Sequence, residues 1–105
     1  MLLILVGCHS SSVPRTATLS WVAPTINLDG TPATDLRGYK LYVGNAPRRY
    51  QYNIDVGDRT SYVLKNLKDR TTYFFAVTAY DSAGSESPYS DEVSKSFPTA
   101  REKKR

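Results

Sequence analysis

From Thr16 onward, apolar and polar residues alternate in short runs separated by turn-forming residues. Leu19 and Trp21 share one side of segment 17–23. Tyr39, Leu41 and Val43 share one side of the segment that starts at Gly38. Tyr62 and Leu64 do so in 61–65, and Tyr73, Phe75, Val77 and Ala79 in the longest run; Val93 and Phe97 close the series. A repeat of two places successive side chains on opposite faces of an extended chain, so each run predicts a half-buried strand. No stretch of ten or more residues carries a helical period.

Turn signals fall between the runs: Pro24, Asp29-Gly30, Asn45-Ala46-Pro47, Gly57-Asp58, Lys68-Asp69-Arg70 and Ala83-Gly84. Short strands at this spacing predict an all-β antiparallel sandwich or barrel. Pro88 and Pro98 bracket the last strand, and proline lacks the amide a central strand must donate, so an edge position is expected.

Several of these pieces resemble the fibronectin type III family, and they come in that family's order. Thr18-Leu19-Ser20-Trp21 is similar to the family's second strand, with Trp21 as the core tryptophan. Gly38-Tyr39-Lys40-Leu41-Tyr42 is similar to the third strand. Leu67, followed six positions later by Tyr73, resembles the family's tyrosine corner. Segment 81–87 resembles the glycine-containing turn before the last strand. The resemblance covers about residues 16–97. It implies an immunoglobulin-like sandwich of about seven strands, with Trp21, Tyr39, Leu67 and Tyr73 as structural core. The first strand is expected to be short or absent, because only residues 12–15, with Pro14 among them, are left for it.

The first eight residues form a short apolar run ending in Gly7-Cys8, with His9 and three serines after it. The run is too short to span a bilayer. Leu5-Val6-Gly7-Cys8 resembles the bacterial lipobox, in which the chain is cut before the cysteine and the thiol is acylated. That resemblance implies a partial signal peptide at 1–7, a lipidated flexible tether at 8–15, the folded domain at 16–98 and a basic tail at 99–105. It also implies an extracytoplasmic protein, anchored by lipid on Cys8 to a bacterial membrane at the periplasm or cell surface. The other reading is an apolar amino terminus that packs on the domain.

Charge narrows the partners. The chain has 105 residues, enough for one domain. Its formal net charge is +4, but the tail Arg101-Glu102-Lys103-Lys104-Arg105 supplies +3 of this, which leaves the folded part at +1. A nucleic-acid-binding domain carries a basic face on the fold itself, so no nucleic acid is expected. The tail is read as a solvated terminus or as a contact for polyanions or membrane surfaces.

Candidate chemistry is sparse. Cys8 is the single cysteine, which leaves no internal disulfide, and His9 is the single histidine. No zinc spacing, phosphate-cradling loop or EF-hand pattern is present. Asp55, Asp58, Asp81 and Glu86 all sit in turn contexts, where acidic side chains bond local backbone. A calcium site using Asp29 and Asp81 has no supporting pattern. The expectation is a monomeric, non-catalytic interaction or spacer module without metal or cofactor. Eight tyrosines remain. Alternation turns Tyr42, Phe74 and Tyr80 outward and puts Tyr50 and Tyr52 on one face of 50–56, with Lys40, Arg48 and Arg49 nearby. Such a stripe suits an unidentified protein or glycan partner, the latter in an accessory module of a polysaccharide-degrading system. The same stripe also suits cross-strand pairing with no ligand.

Overall fold

The computed structural model describes residues 4–11 (backbone), 15–26 and 30–97. Residues 12–14, Asp29 and the basic tail lie outside them. Seven strands follow in chain order: β1 (Ile4–Ser11), β2 (Thr16–Val22), β3 (Leu36–Ala46), β4 (Arg49–Gly57), β5 (Ser61–Leu64), β6 (Thr71–Asp81) and β7 (Val93–Phe97). They form a three-stranded sheet in the order β1-β2-β5 and a four-stranded sheet in the order β4-β3-β6-β7; every pairing is antiparallel. β7 takes the edge position that its flanking prolines predict.

The alternation read from the sequence is the alternation of burial. Ala17, Leu19 and Trp21 of β2 and Leu64 of β5 face Tyr39, Leu41 and Val43 of β3, and Phe75, Val77 and Ala79 of β6. Burying a large apolar side chain is worth about 1.5–3 kcal/mol, so this layer is the main stabilising term. The Trp21 and Tyr39 rings meet edge to face, 5.6 Å apart. Tyr73 stacks on Phe75 and meets Phe97 edge-on, and its hydroxyl accepts a 2.9 Å hydrogen bond from the Lys68 backbone N–H. This is the bond back to upstream backbone expected of the tyrosine corner. Leu67 is buried beside it.

The first strand corrects the sequence reading. It is neither short nor absent: β1 has eight residues, further upstream than residues 12–15. It pairs with β2 from Ile4↔Val22 to Ser11↔Thr16, with an irregularity between Leu5 and Gly7. Cys8 stands opposite Leu19, so residues 8–11 are paired backbone where a flexible tether was expected. A short apolar run is ambiguous between a signal core and a strand, because periodicity does not separate the two. The unpaired side of β2 supplies the hydrogen-bonding partner that the sequence does not reveal.

Candidate functional site

The outer face of the four-stranded sheet carries the polar aromatics. Because Leu41 and Val43 point inward, β3 sends Lys40, Tyr42 and Gly44 outward. In the same way β6 sends out Phe74, Ala76, Thr78 and Tyr80. Ala76 and Thr78 are nonetheless buried, so something covers this face.

The cover is the segment between β6 and β7. Ser87 N–H donates to the Ala79 carbonyl at 2.8 Å and Ser90 N–H to the Val77 carbonyl at 2.9 Å. In return Ala79 N–H donates to Ser87 Oγ at 3.0 Å and Val77 N–H to Ser90 Oγ at 2.9 Å. Two serine hydroxyls thus stand where a neighbouring strand would offer carbonyls. Pro88 has no N–H to donate, and the side-chain bonds let the chain lift away from the sheet between the two serines. Tyr89 sits in that lifted stretch, with 56% of its surface exposed.

Tyr89 meets two other tyrosines. Its ring centroid lies 5.0 Å from that of Tyr42 and 5.1 Å from that of Tyr50, both edge to face; Tyr42 and Tyr50 are 6.0 Å apart. Such geometry aligns ring edges with negative ring faces and contributes about 0.5–1.5 kcal/mol per pair beyond burial. Each inner phenol donates to a carboxylate. Tyr42 O–H binds Glu86 Oε1 at 2.6 Å, and Thr78 O–H binds the same oxygen at 2.8 Å; Lys40 Nζ reaches Glu86 Oε2 at 3.3 Å. Tyr50 O–H donates to Glu92, which also accepts the Arg48 backbone N–H at 2.7 Å. Burial, reinforced by the bond to Glu86, pushes the Tyr42 phenol up to about 12. Burial and Glu92 raise Tyr50 as well. The bond from Tyr42, ahead of the other donors, holds the Glu86 carboxyl below its ordinary value. Both phenols are therefore neutral donors and Glu86 is an anion at physiological pH.

A bulge separates two residues that alternation put together. Val43 stands opposite Tyr52, yet Gly44 stands opposite Tyr50. One extra residue, Gln51, shifts the phase, as a β-bulge does, and its side-chain amide donates to Asn45. Tyr50 consequently shares the outer face with Tyr42, while Tyr52 follows Val43 to the inner side at the sheet margin, near Tyr62 and Tyr73. The expected Tyr50–Tyr52 pairing on one face is thus corrected. Gly44 permits the bulge, because a Cβ there would overlap the Arg49 carbonyl oxygen.

Phe74 is half-buried on the outer face, opposite Gly44 on one side and Ser94 on the other. Tyr80 lies across Gly38 at the far end, where its hydroxyl donates to Asp55 at 2.8 Å. Lys40 Nζ is 5.9 Å from the Tyr80 ring centre. That hydrogen bond raises the Tyr80 phenol, and the Gly57 N–H, followed by Tyr80, lowers Asp55. Asp81 serves its own turn, accepting from Ala83 and Ser85 N–H. Glu86 does not: the turn context read from the sequence is corrected to a place on the sheet face. Among the described residues no three His, Cys, Asp or Glu side chains cluster as a metal site.

Sequence reasoning missed Tyr89, Glu92 and the role of Glu86. The available signal was Ser87-Pro88-Tyr89-Ser90, in which serines flank a proline beside a central strand. Tyr89 forms a wall between two notches. One, of about 440 Å³, is lined by Arg48, Tyr50, Asp91 and Glu92 among others; the second, of about 230 Å³, is lined by Tyr42, Thr78, Glu86 and Pro88. A larger open groove of about 690 Å³ runs along β5, lined by Arg59, Tyr62, Val63 and Lys65 among others. It lies away from the tyrosine cluster.

Comparisons with known proteins agree with this architecture. A Kelch domain-containing protein of Saccharolobus solfataricus is 35% identical over 77 residues, which is 73% of this chain and 10% of that protein. The chain thus spans about a tenth of the curated relative it matches. The sixth fibronectin type III domain of human fibronectin type III domain containing protein 3 superposes with a TM-score of 0.71 at 25% identity, covering 95% of this chain and 87% of that one. A β-1,2-glucanase from Parabacteroides distasonis superposes with a TM-score of 0.71 at 21% identity, covering 96% of this chain and 13% of the enzyme. Domains of this kind are in general non-catalytic modules. Residues 8–96 match the fibronectin type III domain, and with the two-sheet order and the Lys68–Tyr73 bond this places the chain in the fibronectin type III family.

Proposed function

We propose that this domain is an interaction module that binds its partner through the outer face of the four-stranded sheet, centred on Tyr89. The observation that carries the reading is the exposure of Tyr89 above two hydrogen-bonded tyrosines. A rigid aromatic held by its neighbours loses little side-chain freedom on binding, which is why tyrosine is favoured at contact centres. Tyr42 and Tyr50 hold the platform, and Glu86, Glu92 and Arg48 supply polar contacts at its rim.

The module works outside the cytoplasm, attached by lipid at Cys8. Support comes from Leu5-Val6-Gly7-Cys8; a cut before Cys8 would remove the pairing of Ile4, Leu5 and Gly7 with Val22, Trp21 and Ser20 and leave that of Cys8–Ser11 with Leu19–Thr16. Labelled palmitate is expected to enter the wild-type protein and not Cys8→Ser; equal labelling of both would remove the anchor.

A second reading makes the module an accessory to polysaccharide degradation. The similarity to a domain-sized part of a β-1,2-glucanase favours it. Amide shift mapping with β-1,2-glucan oligosaccharides and with peptides tests both readings. Shifts at Tyr42, Tyr50 and Tyr89 are expected for the true ligand class. Shifts confined to the β5 groove would move the interface to the other sheet.

A further inference from the structure

We propose that the two notches beside Tyr89 receive a basic partner segment, each taking one guanidinium or ammonium group between a tyrosine ring and a carboxylate. This rests on the reading of the Tyr89 face as the interaction surface and names what that surface recognises.

The argument begins with charge. Asp91, Glu92 and Glu86 line the two notches, against Arg48 as the lining cation. Lys40 reaches the second notch only through its ion pair with Glu86 at 3.3 Å. With the basic tail set aside the remaining chain carries +1, so this patch is more acidic than the domain around it. Three carboxylates against Arg48 and Lys40 leave the notches with a net negative charge, which favours a cationic partner over an anionic one.

The aromatic geometry selects the kind of cation. Tyr89 is shared by both notches, with Tyr50 on one side and Tyr42 on the other. A tyrosine face is the negative pole of the ring quadrupole and attracts a cation laid over it, arginine above all. A planar guanidinium can lie on a ring while its edge donates to a carboxylate, a pairing that a compact inorganic cation does not use. The first notch, of about 440 Å³, admits a group of that size. In the second, the incoming cation competes with Lys40 for Glu86.

Calorimetric titration of the full chain with a synthetic arginine–glycine peptide tests this. The control peptide replaces each arginine with citrulline, which keeps shape and loses charge; β-1,2-glucan oligosaccharide is the third probe. The arginine peptide is expected to bind, the citrulline peptide to bind far more weakly, and added salt to weaken the first. Tyr89→Ala should cost roughly threefold to thirtyfold in affinity, whereas Tyr89→Phe keeps the ring and should retain binding. Glu86→Gln and Glu92→Gln should weaken binding and flatten its salt dependence; Lys40→Ala should tighten it by freeing Glu86. Thermal unfolding of each variant separates loss of fold from loss of contact. Equal binding of the citrulline peptide, or indifference to both glutamine variants, would overturn the proposal. Glycan binding lost in Tyr89→Ala but not in Glu86→Gln would overturn it too, while leaving the face as the interaction surface. Binding of no probe would sink both this proposal and the reading beneath it.

Discussion

The Tyr42 hydroxyl and the Glu86 carboxylate, 44 positions apart in the chain, meet at 2.6 Å on the outer face of the sheet. Tyr42 belongs to a central strand and Glu86 to the segment that covers it. Their bond therefore ties the cover to the sheet.

This bond sets two pH limits. The folded-state value of Glu86 lies below the ordinary 4.5, so its contribution is full above that value. It is lost as pH falls through the lowered one, when the proton displaces the charge that Tyr42, Thr78 and Lys40 stabilise. Asp55, lowered by the Gly57 N–H, acts in the same direction. Acid unfolding is expected to begin below the ordinary carboxylate range, and Glu86→Gln should make that onset less steep. Circular dichroism against pH is the measurement.

Tyr42 sets the alkaline limit with the opposite sign. Its folded-state value of about 12 exceeds the ordinary 10.0. The stabilisation is therefore present below 10.0 and lost as pH rises through about 12. Ultraviolet titration of the phenols should show Tyr42 and Tyr50 ionising above the ordinary 10.0. In Glu86→Gln, Tyr42 should ionise earlier but remain above 10.0, because burial, the larger cause, persists.

Ser87→Ala and Ser90→Ala each remove the acceptor of a buried amide, that of Ala79 or Val77. A buried donor left unpaired costs about 1–3 kcal/mol. Both variants should unfold at lower urea with an unchanged slope, and the amide that loses its partner should exchange faster.

Gly44→Ala should cost about 1–3 kcal/mol, since its Cβ would meet the Arg49 carbonyl across the hairpin. The bulge must open or shift to relieve this, and Tyr50 moves with it. Loss of the Tyr50–Tyr89 ring-current shifts is the specific sign. A drop in melting temperature with those shifts intact would refute this account of the bulge.

Tyr73→Phe keeps the ring stacked on Phe75 and removes only the hydroxyl that accepts from Lys68 N–H. Because that amide is near solvent, the cost should be at the ordinary hydrogen-bond level of about 0.5–1.5 kcal/mol. Urea unfolding of the variant against wild type checks it.

The sandwich was legible because a half-buried strand writes its burial into every second residue, and Leu19, Leu41 and Val77 obey that rule. β1 was hidden because its pairing depends on an open edge of β2 and not on its own composition. Tyr52 was misplaced for a different reason: alternation carries no mark of the residue, Gln51, at which it changes phase. Tyr89 escaped because a segment held by side-chain bonds has no period to read. Glu86 and Glu92 escaped with it, since what they bind lies more than forty positions upstream, at Tyr42 and Tyr50.

The serine pair has a consequence for how this surface can change over time. Ser87 and Ser90 close the backbone of the central strand β6 beyond the reach of β7, where it would otherwise offer free amides to a neighbouring chain. Between them Tyr89 contributes a ring and no backbone bond that β6 needs. Residue 89 can therefore be replaced without opening the sheet, whereas replacing either flanking serine frees an amide of β6. The covering segment thus separates the exposed ring from the residues that satisfy the strand, and the chemistry displayed at residue 89 can change while the β6 amides stay paired.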